Sequence, residues 1–293
     1  MRNPRMGFLT TIGFAMVLCI LLAAGSAKAQ VFADGLVGLS SSSPGGVYRI
    51  NEFTGAATPI VTLDSEWSLV GLAYLGQTLY GTDLSCTTPA CGNYAVASIS
   101  TNGSTNVISE QNGSSNWWAL AADETANVMY SIDNDNSFIL MAQFPDGTTQ
   151  QIGTGTGISG AGMAYDDTNG ILYAVDGASL YTVSVTDGTS TLIGPTGVAE
   201  GNRFGLEYDE CNQILYMNDG EVGLLYTVNV GTGAATLIGS NGLVGIDGLA
   251  WKGSCEPPGP KPIPTMSEWG LMIMAVFIGI AGILTYRKRR LTA

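Results

Sequence analysis

Histidine is absent from all 293 residues. Its absence excludes Ser-His-Asp and Cys-His catalysis and the HExxH metalloprotease arrangement. Charge is scarce as well, with Asp, Glu, Lys and Arg making up 12% of the chain. Basic residues almost vanish from its middle: Arg49, Arg203 and Lys252 face 23 acidic residues between positions 30 and 256. The overall net charge of -13 therefore understates the acidity of that stretch. Such a surface repels nucleic acid and anionic headgroups, so no nucleic-acid partner is expected. Cysteine is sparse, and the five present form no paired C-x-x-C spacing. Without histidine, that leaves no zinc site to argue for.

Glycine, at 40 residues, is abundant, and Ser, Thr and Asn fill the gaps between short apolar runs. This is the composition of many strands joined by tight turns. Within it one phrase recurs: Leu79-Tyr80-Gly81-Thr82-Asp83, Met129-Tyr130-Ser131-Ile132-Asp133, Leu172-Tyr173-Ala174-Val175-Asp176 and Leu215-Tyr216-Met217-Asn218-Asp219. A second phrase precedes each copy, starting at Gly71, Ala119, Gly162 and Gly205, with a fifth, unpaired copy at Gly248-Leu249-Ala250-Trp251. The steps are 48, 43, 43 and 43 residues. A period in the low forties is that of propeller blades.

The best copy reads as four antiparallel strands, Gly160 to Asp166, Ile171 to Asp176, Leu180 to Val185 and Thr189 to Ile193, split by Asn-Gly, Gly-Ala and Asp-Gly turns. The first repeat, from about Val37, lacks its first strand, and the lone copy at Gly248 supplies one. The expectation is an all-β, five-bladed propeller over residues 33–253, closed by a C-terminal strand. The Tyr of each phrase is expected to pack between blades, and its Asp to accept turn amide hydrogens. The phrase resembles the LYWTD and related LYxxD signatures of extracellular propeller families, although its Trp is missing here. That resemblance implies no particular ligand.

Signals flank this domain. Arg2 and Arg5, an apolar run from Phe8 to Ala24, and Ala27-Lys28-Ala29 before Gln30 read as a secretory signal helix spanning residues 1–29. Export leaves four cysteines to pair by default. Cys86 and Cys91 flank a short loop, and Cys211 plus one 43-residue period falls beside Cys255, which predicts bridges within both couples. Residues 254–262 form a proline-rich linker that cannot extend a sheet.

Behind the linker stand Ile263, Pro264, Thr265, Met266, Trp269 and Gly270, then an apolar stretch and Arg287-Lys288-Arg289-Arg290. The 18 residues from Trp269 to Tyr286 suffice for a transmembrane helix whose basic end stays in the cytoplasm. Residues 263–293 resemble the IPTL-CTERM sorting domain, with Met266 replacing the usual Leu. The resemblance implies an exosortase-type sorting protease as partner, in a Gram-negative bacterium. It implies passage through the inner membrane and delivery to the cell surface or matrix.

Asp133-Asn134-Asp135-Asn136 begins like a calcium loop, but Ser137 stands where glycine belongs and Phe144 where glutamate belongs. That leaves at most a weak calcium site, and no cofactor is expected. Topology places Trp67, Trp117, Trp118, Asp133, Asp135 and Arg203 on one rim, where tryptophans beside carboxylates suit a sugar or protein ligand. The alternative for the tryptophans is filling gaps between blades. A non-enzymatic binding or structural module is the expected function. The alternative is a glycosidase or lyase using rim carboxylates.

Overall fold

The computed structural model describes residues 32–42, 45–64, 69–83, 94–111, 117–134, 137–199, 203–253 and 255. The chain divides into two compact units, Met1–Ser254 and Cys255–Ala293. The signal region, the sorting tail with its apolar stretch, Cys86, Cys91, Trp67 and Asp135 lie outside the described residues. Among the described residues no helix is long and apolar enough to cross a membrane.

Among the described residues, twenty strands form five four-stranded antiparallel sheets. Blade two holds β4 (Leu69–Leu75), β5 (Thr78–Asp83), β6 (Tyr94–Ile99) and β7 (Thr105–Gln111). Blade three holds β8 (Ala121–Asp123), β9 (Val128–Asp133), β10 (Ile139–Gln143) and β11 (Thr149–Ile152). In blade four stand β12 (Gly162–Asp166), β13 (Ile171–Asp176), β14 (Ser179–Val183) and β15 (Ser190–Pro195). Blade five has β16 (Phe204–Asp209), β17 (Ile214–Asp219), β18 (Leu224–Val228) and β19 (Ala235–Ser240). Blade one joins β1 (Gly35–Ser40), β2 (Gly46–Ile50) and β3 (Ala57–Thr62) to the C-terminal β20 (Ile246–Lys252), in the order β20-β1-β2-β3. The split blade therefore forms, with Val37 opposite Ala250 and Leu39 opposite Gly248.

The innermost strands pack in a closed cycle, β4 on β8, β8 on β12, β12 on β16, β16 on β20 and β20 on β4. The Gly-Leu-Ala phrase makes this narrow ring possible. A Cβ on Gly205 would sit 3.0 Å from the Leu249 amide nitrogen, so only glycine lets the two backbones come this close. The core likewise divides into five clusters, one per blade interface. Between blades three and four, Tyr130, Ile132 and Leu140 meet Met163, Leu172 and Val183. Between blades five and one, Tyr216 and Leu225 meet Leu36, Ile246 and Leu249. Burial falls outward, from the wholly buried β4 to the largely exposed β3. That gradient follows the sequence, since the inner strands are apolar and the outer ones rich in Thr.

The recurring tyrosines are buried at these interfaces. Tyr130 lies 5.8 Å from Tyr165 of the next blade, and Tyr173 lies 6.1 Å from Tyr208. Loss of water pushes the Tyr130 and Tyr216 hydroxyls up to about 12. The aspartate closing the phrase acts locally: Asp219 accepts hydrogen bonds from the Glu221 (2.9 Å) and Val222 (3.3 Å) amides, and Asp176 accepts one from the Ser159 hydroxyl.

Candidate functional site

First strands begin, and second strands end, at the same rim. On blade three, Trp117 bridges to Asp133, which extends the β8–β9 pairing to that edge. Trp117 is 1% exposed and belongs to the core cluster between blades two and three, which also holds Leu75, Tyr80, Val96 and Met129. Its indole is therefore a gap filler with no open face, and the exposed surface expected of it is not there. Trp118 and Asn134 are half-buried, and Asp133 is buried. Trp117 Nε1, Trp118 Nε1 and Asn134 Oδ1 are shut from solvent without a hydrogen-bond partner. Beyond them, Ser137 and Phe138 take the left-handed conformation at φ 57° and 55°. Phe138 is held there by Thr156, whose amide (2.8 Å) and hydroxyl (2.9 Å) both donate to its carbonyl.

Arg203 belongs to a separate group, between blades five and one. Its Nη2 lies 2.5 Å from Asp247 Oδ2, and its Nε donates to the same oxygen at 3.2 Å. Ser41 Oγ also donates to Asp247 Oδ2, at 2.5 Å. The Arg203 side chain is 46% exposed and that of Asp247 only 5%. Asp247 Oδ1 is buried without a partner. The structure thus brings Trp117, Trp118 and Asp133 together on one blade, and sets Arg203 in the closure of the ring.

The opposite rim carries residues that the sequence reading missed. Asp123, Asp166 and Asp209 close the first strands of three blades, 43 residues apart. Each is buried and caps the following turn. Asp209 Oδ1 accepts from the Cys211 (2.9 Å) and Asn212 (3.0 Å) amides, Asp166 Oδ1 from the Asn169 amide (2.9 Å), and Asp123 Oδ1 from Ala126 (2.6 Å). The next residues, Glu124, Asp167 and Glu210, keep the same spacing. Glu210 accepts from the Asp167 amide (2.5 Å) and the Thr168 hydroxyl (2.7 Å), and Asp167 from the Thr125 amide (3.3 Å). Lys252 adds a link to blade two, donating to Gln77 Oε1 at 2.6 Å from 5.3 Å above the Tyr74 ring.

Glu207 stands where the other four first strands have Ala73, Ala121, Ala164 and Ala250. Crowding by protein pushes its carboxyl well above the ordinary range; a bond from the Trp251 backbone opposes this, while Glu210, Asp167 and Glu124 add to it. Asp167 is pushed up to about 6, first by loss of water, against the Thr125 hydrogen bond, then by Asp123, Glu210 and Glu124. No cluster of three or more metal-ligating side chains occurs among the described residues. The signal that could have located this rim was the shared 43-residue spacing of its acids. Cys211 and Cys255 are each disulfide-bonded.

The chain carries an IPTL-CTERM motif at residues 261–290. That motif implies an exported, sorted surface protein. No curated protein matches the chain. Among solved structures, it is similar to a chain of a nidogen/laminin complex, at TM-score 0.53 and 11% identity over 74% of this chain and 98% of that one. It is also similar to a structural genomics protein of unknown function from Bacteroides thetaiotaomicron VPI-5482 (TM-score 0.47, 18% identity, 70% and 50% covered). A third is a catalytically inactive virginiamycin B lyase from Staphylococcus aureus, solved with quinupristin (TM-score 0.43, 12% identity, 73% and 71% covered). The first likeness shows the fold alone, and the other two carry no argument.

Proposed function

We propose that the chain is an exported surface or matrix propeller of a Gram-negative bacterium, released to its destination by an exosortase-type protease, and that it acts there as a non-enzymatic binding or structural module. The observation that carries this reading is the IPTL-CTERM motif directly behind a ring whose last strand is already closed. In this reading residues 1–29 direct export and are removed. Residues 33–253 are the delivered propeller, 254–262 the spacer, and 263–293 the sorting segment with its membrane helix and basic end. Cys86 pairs with Cys91, and Cys211 with Cys255. Both halves of the second couple are oxidised, as an oxidising destination requires.

Intact mass of the protein recovered from its native cell surface, before and after reduction, tests the reading. Loss of both termini, with a mass gain of about four daltons on reducing two bridges, is the expected result. A retained tail on all the recovered protein would overturn the sorting step.

A further inference from the structure

We infer that the seam between blades one and two, at the rim where the first strands end, binds a small molecule through a single carboxylate, held by Tyr74 Oη, Lys252 Nζ and the charge of Arg49. The site deepens the binding-module reading and rests on it. In the phrase that opens at Gly71, Ala119, Gly162, Gly205 and Gly248, the fourth residue of one copy meets the fifth residue of the copy one blade back. Tyr165 donates its hydroxyl hydrogen to Asp123 of blade three, and Tyr208 donates to Asp166 of blade four. Between blades two and three the two positions hold Ala122 and Leu75, which bring neither a hydroxyl nor an acceptor. Between blades one and two they hold Tyr74 and Lys252. There the hydroxyl is kept and the carboxylate has given way to a cation.

Tyr74 is 5% exposed, and its Oη is buried without a hydrogen-bond partner. Loss of water pushes this hydroxyl well above its ordinary value; Arg49 opposes the rise, and Asp34 and Glu207 add to it, so the group stays an O–H donor. Those two acids are within electrostatic reach, yet neither accepts from the hydroxyl. Lys252 Nζ stands 5.3 Å over the Tyr74 ring. Arg49 comes first among the charges that act on the hydroxyl, and it donates to the Ala33 and Asp34 carbonyl oxygens. Two of the three basic residues between positions 30 and 256 thus gather at this seam. A buried donor without an acceptor calls for one, and Asp123 and Asp166 show which acceptor the geometry takes. One carboxylate, with an oxygen for each donor at about 2.8 Å, spans the gap from the hydroxyl at the ring's edge to an ammonium above its face. Lys252 is the way in. Its side chain is half-buried and ends in a solvent-exposed hydrogen bond to Gln77 Oε1. Rotation about its own χ angles lifts the ammonium off the ring and lets the ligand take the place of Gln77. The 23 acidic residues of the same stretch repel a polyanion, so the ligand carries one carboxylate only, as a free uronic acid does.

The test is calorimetric titration of the full-length protein, in detergent, with sodium glucuronate, with glucose as the neutral counterpart and sodium sulfate as an anion of another shape. Glucuronate should bind and glucose should not. Tyr74→Phe removes the hydroxyl alone, and Lys252→Met removes the ammonium while keeping an apolar stem. Each should weaken glucuronate binding about tenfold. Tyr74→Phe should also leave the Tm of the free protein unchanged or higher, because the group removed is buried and unpaired. A weaker site in a fold no less stable is a combination that a purely structural hydroxyl does not give. Full binding in both variants overturns this site and leaves the binding-module reading standing. Sulfate binding as tightly as glucuronate, equal binding of glucose, or a response to none of the three overturns the ligand class. A lowered Tm for Tyr74→Phe with unchanged affinity would mean that the hydroxyl serves the fold through hydration water, and would overturn the site as well.

Discussion

The ring is held together at its outer edge by glycines at the hairpins joining third and fourth strands, and one comparison isolates what they contribute. Gly103 turns the blade-two hairpin at φ 89°, and a Cβ there would lie 2.1 Å from the Thr62 carbonyl oxygen of blade one. Its own carbonyl accepts a hydrogen bond from the Asp64 amide at 3.4 Å. Gly76 also has positive φ, at 60°, but a Cβ there meets nothing within 4 Å. Gly76→Ala should therefore cost only the left-handed conformation, about 1 kcal/mol. Gly103→Ala carries that cost and must also push two backbones apart, for a total of about 3–5 kcal/mol. For a domain of this size each kcal/mol lowers Tm by about 2–4 °C. The expected falls are about 3 °C for Gly76→Ala and about 10 °C for Gly103→Ala, read by differential scanning calorimetry. Equal falls would refute the claim that this hairpin rests on its neighbour, and with it the contact as a source of closure.

Acid should stabilise the fold. The folded pKa of Asp167, about 6, lies above its unfolded value of about 3.9. The native state therefore holds the extra proton between those two values, and stability falls as pH rises through about 4 to 6. With Asp167 half-buried, solvent screening reduces the effect to about 1 kcal/mol. Urea midpoints at pH 5 and 7.5 should differ in favour of pH 5, and Asp167→Asn should shrink the difference; a midpoint higher at pH 7.5 would refute the argument. Arg203→Met leaves Asp247 buried with Ser41 as its remaining donor, at a cost of about 2 kcal/mol given the exposure of the arginine. Asp247→Asn in that background should recover part of the loss, and an unchanged urea midpoint for the single variant would show the pair to be idle. Ser137→Gly relieves a left-handed residue at φ 57° and should raise stability by about 1 kcal/mol. A fall in Tm would mean that the serine is unstrained.

The blade count, the split closure and the inner strands were legible because each rests on a backbone requirement met by glycine in four of the five blades. Glycine at 71, 162, 205 and 248 marks strands that must touch, and the 43-residue step counts them. Blade three was read less well. Ala119 and Ala122 replace residues that elsewhere are glycine and an aromatic, and β8 is only three residues long. The other four blades carry a register shift between third and fourth strands, as at Leu180/Tyr181 and Leu225/Tyr226, whereas β10 and β11 pair without one. The fate of Trp117 could not be read from its own neighbours. Trp117 is buried in a cluster that draws residues from blade two, such as Leu75, Tyr80 and Val96, some twenty to forty positions earlier in the sequence, together with its own blade, and only the packed blades bring these together.

The repeat itself offers a comparison that one sequence rarely provides, since five copies share one structural task. Where most copies agree, as with the interface tyrosines of four blades and the turn-capping Asp123, Asp166 and Asp209 of three, the task is the fold. Departures need another explanation. Glu207 interrupts four alanines with a carboxyl that is hard to ionise, a change the fold alone has no reason to make. Trp117 and Trp118 occupy positions filled by Leu69 and Val70, Gly160 and Ala161, Arg203 and Phe204, and Ile246 and Asp247 in the other blades. Two neighbouring indoles occur at that register in blade three alone, and there their N–H groups are left without acceptors. A gap filler needs bulk but no N–H, and phenylalanine or leucine would supply that bulk without a donor to satisfy. Two indole donors without acceptors at one register distinguish blade three from the other four.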